Sequence, residues 1–359
     1  MLDVIIVGTG HAFSKHYMPE IVYGNVADSI RVIGFVETDQ TRWPAEPQFT
    51  TAWKVTDFSK IPIDFNRQHV AVMILTPDHY PVVEEYARAG FKRFIIEKPL
   101  VSRDEDADKL RSCISTYGLS VYAIDFYIHK LFPLLAVRGM LQVNDPRYRF
   151  IRSSAGPVPD ADLLGSIEGV AINIVEGGDF ALADLAKRPW LANDPQIGGM
   201  LRDLGTHALA PLIVCNLIDH DAGILDVHLS CLTDDLKSMR RVKNGEIEMH
   251  VSALITGKGN VPISLAFGKV PLEGGIWSIA VRGSKGMFYS ALRSGNASVF
   301  VDSKSSAALT LTKNPSALVL DEAALYFEDR LPGHDGYVSA LLDSLSILSR
   351  IRERNSANM

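Results

Sequence analysis

Short apolar runs alternate with helical patterns over the first 125 residues. The runs are rich in Val, Ile and Phe and nearly continuous in apolar character, which is typical of strands covered on both faces. They are Asp3–Val7, Ile30–Glu37, His69–Leu75, Phe91–Glu97 and Leu119–Asp125. Ser102 and Glu105 form the pattern of a capping box that opens a helix over Arg103–Tyr117, and Gly118 predicts its left-handed end. This alternation predicts a doubly wound parallel sheet with right-handed crossovers.

After about residue 140 the strand patterns become longer, and many alternate between apolar and polar residues. The predicted strands are Tyr148–Ser154, Gly169–Glu176, Ile224–Leu232, Ile247–Thr256, Val261–Phe267, Trp277–Arg282 and Ala297–Asp302. Gly257–Asn260 predicts a hairpin turn, and helical patterns cover Phe180–Lys187, Asp203–Ile218 and Gly336–Arg350. We therefore expect an α/β chain with two domains: residues 1–125 with the parallel sheet, and residues 126–359 as an α+β domain with a large, mostly antiparallel open sheet.

Composition narrows the class of protein. The 359 residues are 47% hydrophobic and 22% charged, which is ordinary for two globular domains. The net charge of −6 gives no basic excess for nucleic acid or an anionic membrane surface, and no apolar stretch reaches the roughly 18 residues of a membrane span. Three scattered cysteines, Cys113, Cys215 and Cys231, lack metal-ligand spacing and fit a reducing compartment. We expect a cytoplasmic protein without a metal site.

A glycine turn follows the first strand. Gly8 would allow the tight turn, and Gly10 would let the backbone approach a pyrophosphate near the start of a helix. The third small position of this fingerprint is occupied by Phe13, a departure from the pattern. The alternative is a glycine turn without a ligand.

A carboxylate stands where the second predicted strand ends. Glu37 lies 27 residues after Gly10, close to the position that hydrogen-bonds the adenosine ribose of NAD. A carboxylate repels the 2′-phosphate of NADP, so NAD is preferred. Thr38 and Arg42 could serve that phosphate instead, and Glu37 could also be an ordinary solvated acid.

A lysine follows the predicted strand Phe91–Glu97, at the edge where open α/β sheets bind ligands. Pro99 holds Lys98 out of helical geometry and is compatible with a cis bond. A lysine fixed beside a nicotinamide could hydrogen-bond a substrate oxygen and carry a proton. The alternative is a solvated loop lysine.

Several of these motifs follow each other in the order of one family. They are the glycine turn, Thr76-Pro77-Asp78, Ala89-Gly90 and Glu97-Lys98-Pro99. A later segment of the chain, Gly198-Gly-Met-Leu-Arg-Asp203-Leu-Gly-Thr-His207, supplies a further motif. Together they resemble the glucose–fructose oxidoreductase/inositol dehydrogenase (Gfo/Idh/MocA) family of NAD(P)-dependent dehydrogenases, over residues 3–215 by motif.

The resemblance implies an N-terminal Rossmann domain and a second domain that covers the nicotinamide. It implies hydride transfer between NAD, or NADP, and a hydroxyl or keto carbon of a sugar, amino sugar, sugar acid or cyclitol. Lys98, Asp203 and His207 would handle the proton. The expected cofactor contacts are Gly8, Thr9, Gly10, His11, Ala12, Phe13, Glu37, Thr38, Thr76, Pro77, Glu97, Lys98 and Pro99.

The residues of the second motif support such a role. If a helix begins near Asp203, then His207 lies on the same face, and the carboxylate can orient an imidazole that exchanges a proton with a hydroxyl. Upstream, Gly198 and Gly199 would let the chain approach a cleft closely. The alternative is a helix-start acid with a bystander histidine.

Other residues are candidates for substrate contact, although each could be ordinary surface or core. They are Tyr127, His129, Lys130, Trp190 and Arg202. The chain also departs from the family, because Pro81 stands where many relatives carry a histidine.

Two further classes stay open. One is a non-catalytic NAD(P)-binding regulator on the same fold; the other is an imine reductase or NAD-dependent glycosidase of the same superfamily. We also expect a homodimer or homotetramer, with alternating apolar residues such as Ile263, Leu265 and Phe267 offering the contact face.

Overall fold

The computed structural model describes residues 1–24, 26, 28–62, 64–126, 134, 148–152, 162–194, 198–243, 246–291, 296–301, 304–329 and 334–357. The chain divides into two compact units. Unit 1 is Met1–Phe126 with Asn314–Ser339, and unit 2 is Tyr127–Lys313 with Ala340–Met359. The first boundary lies beside the expected one, but residues 314–339 belong to unit 1 and not to the expected second domain.

Unit 1 contains a six-stranded parallel sheet in the order β3-β2-β1-β4-β5-β6. The strands are β1 (Leu2–Val7), β2 (Ile30–Val36), β3 (Trp53–Val55), β4 (Ala71–Ile74), β5 (Arg93–Glu97) and β6 (Ser120–Ile124). The five strands expected from apolar runs are present, and β3 is an additional strand of only three residues. The strand order reverses between β1 and β4, which in such sheets creates a crevice at the carboxyl ends of the strands.

Unit 2 contains a ten-stranded sheet in the order β10-β9-β11-β12-β8-β13-β14-β15-β16-β7. The strands are β7 (Tyr148–Arg152), β8 (Ile167–Gly177), β9 (Ile224–Leu232), β10 (Met239–Arg241), β11 (His250–Thr256), β12 (Pro262–Val270), β13 (Ile276–Gly283), β14 (Gly286–Ala291), β15 (Asn296–Val301) and β16 (Lys304–Leu311). Among the described strands the β8–β12 pair is parallel and the other pairs are antiparallel, which confirms the expected mostly antiparallel sheet.

The described helices lie between these strands. The α-helices are α1 (Met18–Val22), α2 (His79–Arg88), α3 (Asp106–Tyr117), α4 (Gly178–Lys187), α5 (Trp190–Asn193), α6 (Met200–Asp203), α7 (Gly205–Val214), α8 (Pro315–Phe327) and α9 (His334–Ala357). A π-helix covers Phe13–Tyr17, and single 3₁₀ turns cover Gln40–Arg42, Pro47–Phe49, Phe58–Lys60 and Lys258–Asn260. None of the helices in the described part of the chain is long and apolar enough to span a membrane.

Helix α8 explains why unit 1 includes residues from late in the chain. Val319, Leu320 and Ala323 are fully buried and belong to the same core cluster as the β1 residues Val4 and Ile6. The packing of this apolar face contributes most of the stability of such a helix. The helix was not expected, because its many apolar residues give no clear one-sided stripe.

The open sheet of unit 2 buries one face against helices α4 and α7, which contact β8 and β12. Ile263, Leu265 and Phe267 lie on this buried face with no exposed surface, so the expectation that they offer a contact face is wrong. The alternation of β12 instead turns Pro262 and Ser264 to the exposed side.

The prediction of a capping box at Ser102 and Glu105 is also wrong. Helix α3 begins at Asp106, and the Ser102 hydroxyl donates to the carbonyl of Pro77 instead of capping the helix. Gly118 ends the helix in the left-handed conformation, as expected (φ 58°, ψ 54°).

Candidate functional site

Three turns of unit 1 lie at the carboxyl ends of adjacent strands. Gly8 follows β1, Thr76 follows β4 and Lys98 follows β5, and these strands are neighbours in the sheet. Backbone hydrogen bonds hold these turns to a neighbouring strand: Gly8 N donates to Val36 O at 2.9 Å and Lys98 N to Ile124 O at 3.1 Å, and just before Thr76 the N–H of Leu75 donates to Val7 O at 2.9 Å. The sequence motifs are therefore gathered at the ligand-binding edge of the sheet.

The glycine turn has the shape that a dinucleotide phosphate needs. Gly8 has φ +89°, and a Cβ there would lie 3.0 Å from Cγ2 of Thr76, so a side chain is excluded. A Cβ on Gly10 would meet a single heavy atom within 4 Å, Nη1 of Arg42 at 3.9 Å. The backbone of Gly10 is thus open beside a cation, which suits a phosphate.

Phe13 stands where the fingerprint has a small residue. Its ring is buried and packs against Phe35 and Phe49, with ring centroids 5.7 and 6.3 Å away. The π-helix begins at this residue. Phe13 therefore belongs to the core, His11 is exposed and Ala12 is half-buried.

Glu37 is buried at the end of β2 and holds the glycine turn. One carboxylate oxygen accepts hydrogen bonds from the Thr9 N–H at 2.8 Å and the Thr9 hydroxyl at 3.1 Å, and the other accepts from the Asp39 N–H at 3.0 Å. Burial acts to raise the pKa of Glu37, but these hydrogen bonds outweigh burial and hold the pKa below its usual value. Thr38 beside it is exposed.

The turn that carries Lys98 is tied to the turn after β4. The Lys98–Pro99 peptide is cis, and Glu97, Lys98 and Pro99 are half-buried. Nδ1 of His79 lies 2.7 Å from the Pro99 carbonyl oxygen. The pKa of His79 is lowered to about 4, chiefly by burial and to a smaller extent by the Lys98 charge, against hydrogen bonds to backbone carbonyls that act in the opposite direction. His79 is therefore a neutral hydrogen-bond donor near pH 7.

In unit 2, the paired glycines begin helix α6. Gly199 has φ +94°, and a Cβ there would lie 2.3 Å from Oε1 of Glu248. The same carboxylate accepts from the N–H of Leu201 at 3.1 Å, and the Glu248 carbonyl accepts from the N–H of Met200 at 3.0 Å. The close approach that Gly199 allows is therefore to the chain's own Glu248, which satisfies free N–H groups of the helix, whereas Gly198 lies against the backbone carbonyls of Trp190 and Asp194.

Asp203 and His207 are both buried, at 7% and 4% exposure. Asp203 ends α6 and His207 lies in the first turn of α7, so one helix beginning at Asp203 is replaced by two. The interruption is at Leu204, whose φ of −115° departs from helical values.

The Asp203 carboxylate faces two cations. Nη1 of Arg188 donates to Oδ1 at 3.1 Å, and Nζ of Lys269 lies 3.6 Å from Oδ2. Both cations also contact Asp184. Burial acts to raise the pKa of Asp184, but its pKa is lowered because Arg188 and Lys269 outweigh burial.

The proposed substrate contacts are unevenly placed. Trp190 in α5 and Arg202 in α6 are half-buried in unit 2. Tyr127, His129 and Lys130 lie outside the described residues. Among the residues that the structure describes, no group of three His, Cys, Asp or Glu side chains could hold a metal ion.

Sequence reasoning missed His79, Arg188, Glu248 and Lys269. The sequence carried a signal only for His79, which directly follows the Thr76-Pro77-Asp78 turn, two residues before the position where many relatives carry a histidine. The other three contact the second motif from 15 to 66 residues away in sequence, as Arg188 and Lys269 do at Asp203.

Residues 2–124 match the family model described as "Oxidoreductase family, NAD-binding Rossmann fold", Gfo/IDH/MocA. The N-terminal domain is a Gfo/Idh/MocA domain. This match confirms the recognition made from the motifs, the Rossmann fold, the oxidoreductase class and an NAD(P)-type cofactor for the domain. A search of curated protein sequences finds no match to the chain.

Solved structures resemble the chain well beyond the Gfo/Idh/MocA domain. One is KijD10, a 3-ketoreductase from Actinomadura kijaniata solved with NADP and TDP-benzene, with 14% identity, a TM-score of 0.71, and coverage of 98% of this chain and 97% of that one. Another is GnnA, a UDP-N-acetylglucosamine 3-dehydrogenase from Acidithiobacillus ferrooxidans, with 14% identity, a TM-score of 0.68, and coverage of 98% and 96%. At these identities the likeness shows the fold.

Proposed function

We propose that this protein is an NAD(P)-dependent oxidoreductase that transfers a hydride between the nicotinamide and a hydroxyl or keto carbon of a sugar, amino sugar, sugar acid or cyclitol. The observation that carries the proposal is the position of Lys98. It follows a strand of an NAD-binding domain at the same sheet edge as the open glycine turn, and its turn is fixed by His79.

In this proposal, each of the three candidate catalytic residues has a role in proton transfer. NAD(P), when bound, supplies the hydride acceptor or donor. Lys98 hydrogen-bonds the reacting oxygen and relays its proton, His207 is the general acid/base, and Asp203 orients the imidazole and binds substrate.

The substrate class is supported by analogy. KijD10 was solved with a TDP compound and GnnA is named for a nucleotide-linked amino sugar. Nucleotide-linked sugars therefore belong in any substrate screen beside free sugars, sugar acids and inositols.

For the cofactor, we propose a preference for NAD. Glu37 is ionised at the end of β2, where a carboxylate disfavours a 2′-phosphate. The Arg42 guanidinium beside Gly10 favours that phosphate, so we expect NADP to be accepted as well. Because of Glu37, NADP is expected to bind more weakly than NAD.

We also propose a homodimer or homotetramer. The exposed face of the unit 2 sheet carries Leu254 on β11 and Met287 and Tyr289 on β14, around a shallow hollow lined by small residues such as Ala171 and Ala280. An exposed and mostly apolar sheet face of this kind suits a second copy of the sheet. An Ala280→Arg variant should elute as a smaller species in light-scattering chromatography.

A cytoplasmic location is part of the same proposal. The three cysteines are buried and form no disulfide bond with one another, which suits a reducing compartment.

The experiment is a hydride-transfer screen at 340 nm with both cofactors, followed by Lys98→Ala and His207→Ala. Each variant should lose about 10²- to 10⁴-fold in kcat while still binding cofactor, because each removes a proton-transfer group. Lys60→Ala is the matched control, since Lys60 is exposed and pairs with Asp57.

Wild-type-like turnover in either variant contradicts the assignment. A chain that binds NAD(P) and never changes nicotinamide absorbance would be a regulator. Substrate cleavage without net absorbance change would indicate an NAD-dependent glycosidase, and turnover only with imines would indicate an imine reductase.

A further inference from the structure

A buried lysine in unit 2 contacts three carboxylates. Lys269 on β12 lies directly opposite Glu176 on β8, and its ammonium contacts the Glu176 carboxylate. The same nitrogen lies 2.9 Å from Oδ2 of Asp184 and 3.6 Å from Oδ2 of Asp203. The Lys269 side chain has no exposed surface.

Arg188 completes this group of charges, which we call the Lys269 network: Glu176, Asp184, Arg188, Asp203 and Lys269. The guanidinium donates to both oxygens of Asp203, Nη1 to Oδ1 at 3.1 Å and Nη2 to Oδ2 at 3.4 Å, and its Nε donates to Asp184 at 3.2 Å. Two-point contact from a planar guanidinium fixes the plane of a carboxylate. Asp203 therefore has a defined orientation.

Both cations of the network are permanent charges. Burial acts to lower the pKa of Lys269, but the carboxylates of Asp203, Glu176 and Asp184 outweigh burial, so its pKa lies above the usual value. The pKa of Arg188 is raised in the same way, against burial, by Asp203 and Asp184. Lys269 is thus unsuited to act as a base, and its role is electrostatic.

Stability alone is a weak explanation for so many buried charges. Well-packed apolar residues in place of a buried ion group are often equally stable, whereas removal of one partner leaves an uncompensated buried charge and is strongly destabilising. The network also holds three carboxylates against two cations, which leaves one net negative charge in a region of low dielectric.

We infer that Lys269 and Arg188 are positioning residues that hold the Asp203 carboxylate ionised and oriented for the proton step at His207. The inference rests on the proposed function, because it assigns these residues to the reaction proposed for Asp203 and His207. An oriented, ionised Asp203 with a net negative network behind it favours the positive charge that His207 gains when it takes the substrate proton.

The test compares three variants of the full chain. Lys269→Met removes the ammonium. Lys269→Met with Glu176→Gln removes the ammonium together with the carboxylate opposite it, so the network keeps its net charge of one negative. Lys258→Met is the matched control, since Lys258 is a partly exposed unit 2 lysine paired with Asp219.

We expect Lys269→Met to lower kcat at least tenfold, to change the KM for NAD less than twofold, and to move the acidic limb of the kcat–pH profile upward by about one unit, because Asp203 has lost a cation. The double variant should recover the melting temperature of the wild type but not its kcat. If the single variant fails to fold, the double variant still decides the question.

A double variant with wild-type kcat and an unshifted acidic limb overturns the inference and assigns the network to stability. A second readout does not need turnover: the pH at which the Asp203 carboxyl takes up a proton, followed by ¹³C NMR and assigned with Asp203→Asn. This pH should rise in the double variant, by less than the unit expected for Lys269→Met because the negative charge of Glu176 is removed as well. An unchanged value again overturns the inference. A wild-type chain without any hydride transfer rejects the proposed function, while the NMR titration still decides whether Lys269 controls Asp203.

Discussion

The two units fix their candidate catalytic residues by different means. In unit 1 the turn of Lys98 is fixed by backbone hydrogen bonds at strand ends and by a neutral histidine. In unit 2 Asp203 is held by buried charges, and the start of its helix is held by the Glu248 carboxylate. Neutral contacts thus fix the turn that carries a lysine in unit 1, whereas charged contacts hold a carboxylate in unit 2.

The comparison predicts that unit 2 is especially sensitive at Gly199. A Gly199→Ala variant forces a left-handed residue and a Cβ 2.3 Å from Oε1 of Glu248, so we expect a loss of about 4 kcal/mol in the free energy of unfolding. Urea unfolding followed by circular dichroism measures it. Gly259→Ala is the control, since φ is +68° there with nothing within 4 Å, and it should cost about 1 kcal/mol. Equal costs for the two variants would remove Glu248 from the explanation.

A pH effect on stability tests the neutral histidine of unit 1. The pKa of His79 is about 4 in the folded chain and about 6.5 when unfolded, so the unfolded state binds the extra proton first. Its contribution is therefore fully present above pH 6.5 and is lost as pH falls toward 4, by about 3 kcal/mol in total. The measurement is the difference in urea stability between wild type and His79→Asn from pH 7 to 4.5. A difference that stays constant with pH contradicts a neutral His79.

Activity tests whether the same histidine positions Lys98. In His79→Asn the amide nitrogen occupies the place of Nδ1 and can still donate to Pro99, whereas His79→Leu cannot. We expect His79→Leu to lower kcat about tenfold, equal to about 1.4 kcal/mol, and His79→Asn to retain most of the activity. Steady-state kinetics with a substrate from the screen measures both variants. Identical losses in the two would mean that the Pro99 contact is unimportant.

The smallest expected effect concerns the choice of cofactor. Arg42 is largely exposed and already paired with Asp39, so its contribution to a 2′-phosphate is modest. Arg42→Ala should lower kcat/KM with NADP about threefold and leave the value with NAD unchanged. An equal fall in kcat/KM with both cofactors would indicate that Arg42 contacts a part of the cofactor that NAD and NADP share.

Much of unit 1 could be predicted from the sequence, because its site is built from local order. A strand, a turn and a following helix determine where Gly8, Glu37 and Lys98 lie, and each is readable within a few residues. The exception is α8, whose residues join the core of β1 from more than 300 positions away.

The candidate site of unit 2 was less predictable from the sequence, because its contacts join residues that lie far apart along the chain. The Gly-Gly motif with Asp203 and His207 is readable, but the Lys269 network joins residues from position 176 to 269, and nothing in the local sequence around Lys269 marks it as buried. The alternation of apolar and polar residues correctly predicted strand β12, but Ile263 was expected on a face open to a partner and is buried inside unit 2. A period of two residues does not say which face of a strand is covered.

The discontinuity of unit 1 has a consequence for synthesis of the chain. The residues of α8 that complete its core are translated nearly last, so the first half of a nascent chain emerges from the ribosome with an apolar surface that nothing yet covers. An expression fragment that stops after the sixth parallel strand should therefore aggregate. A cofactor-binding fragment would need α8 grafted onto it.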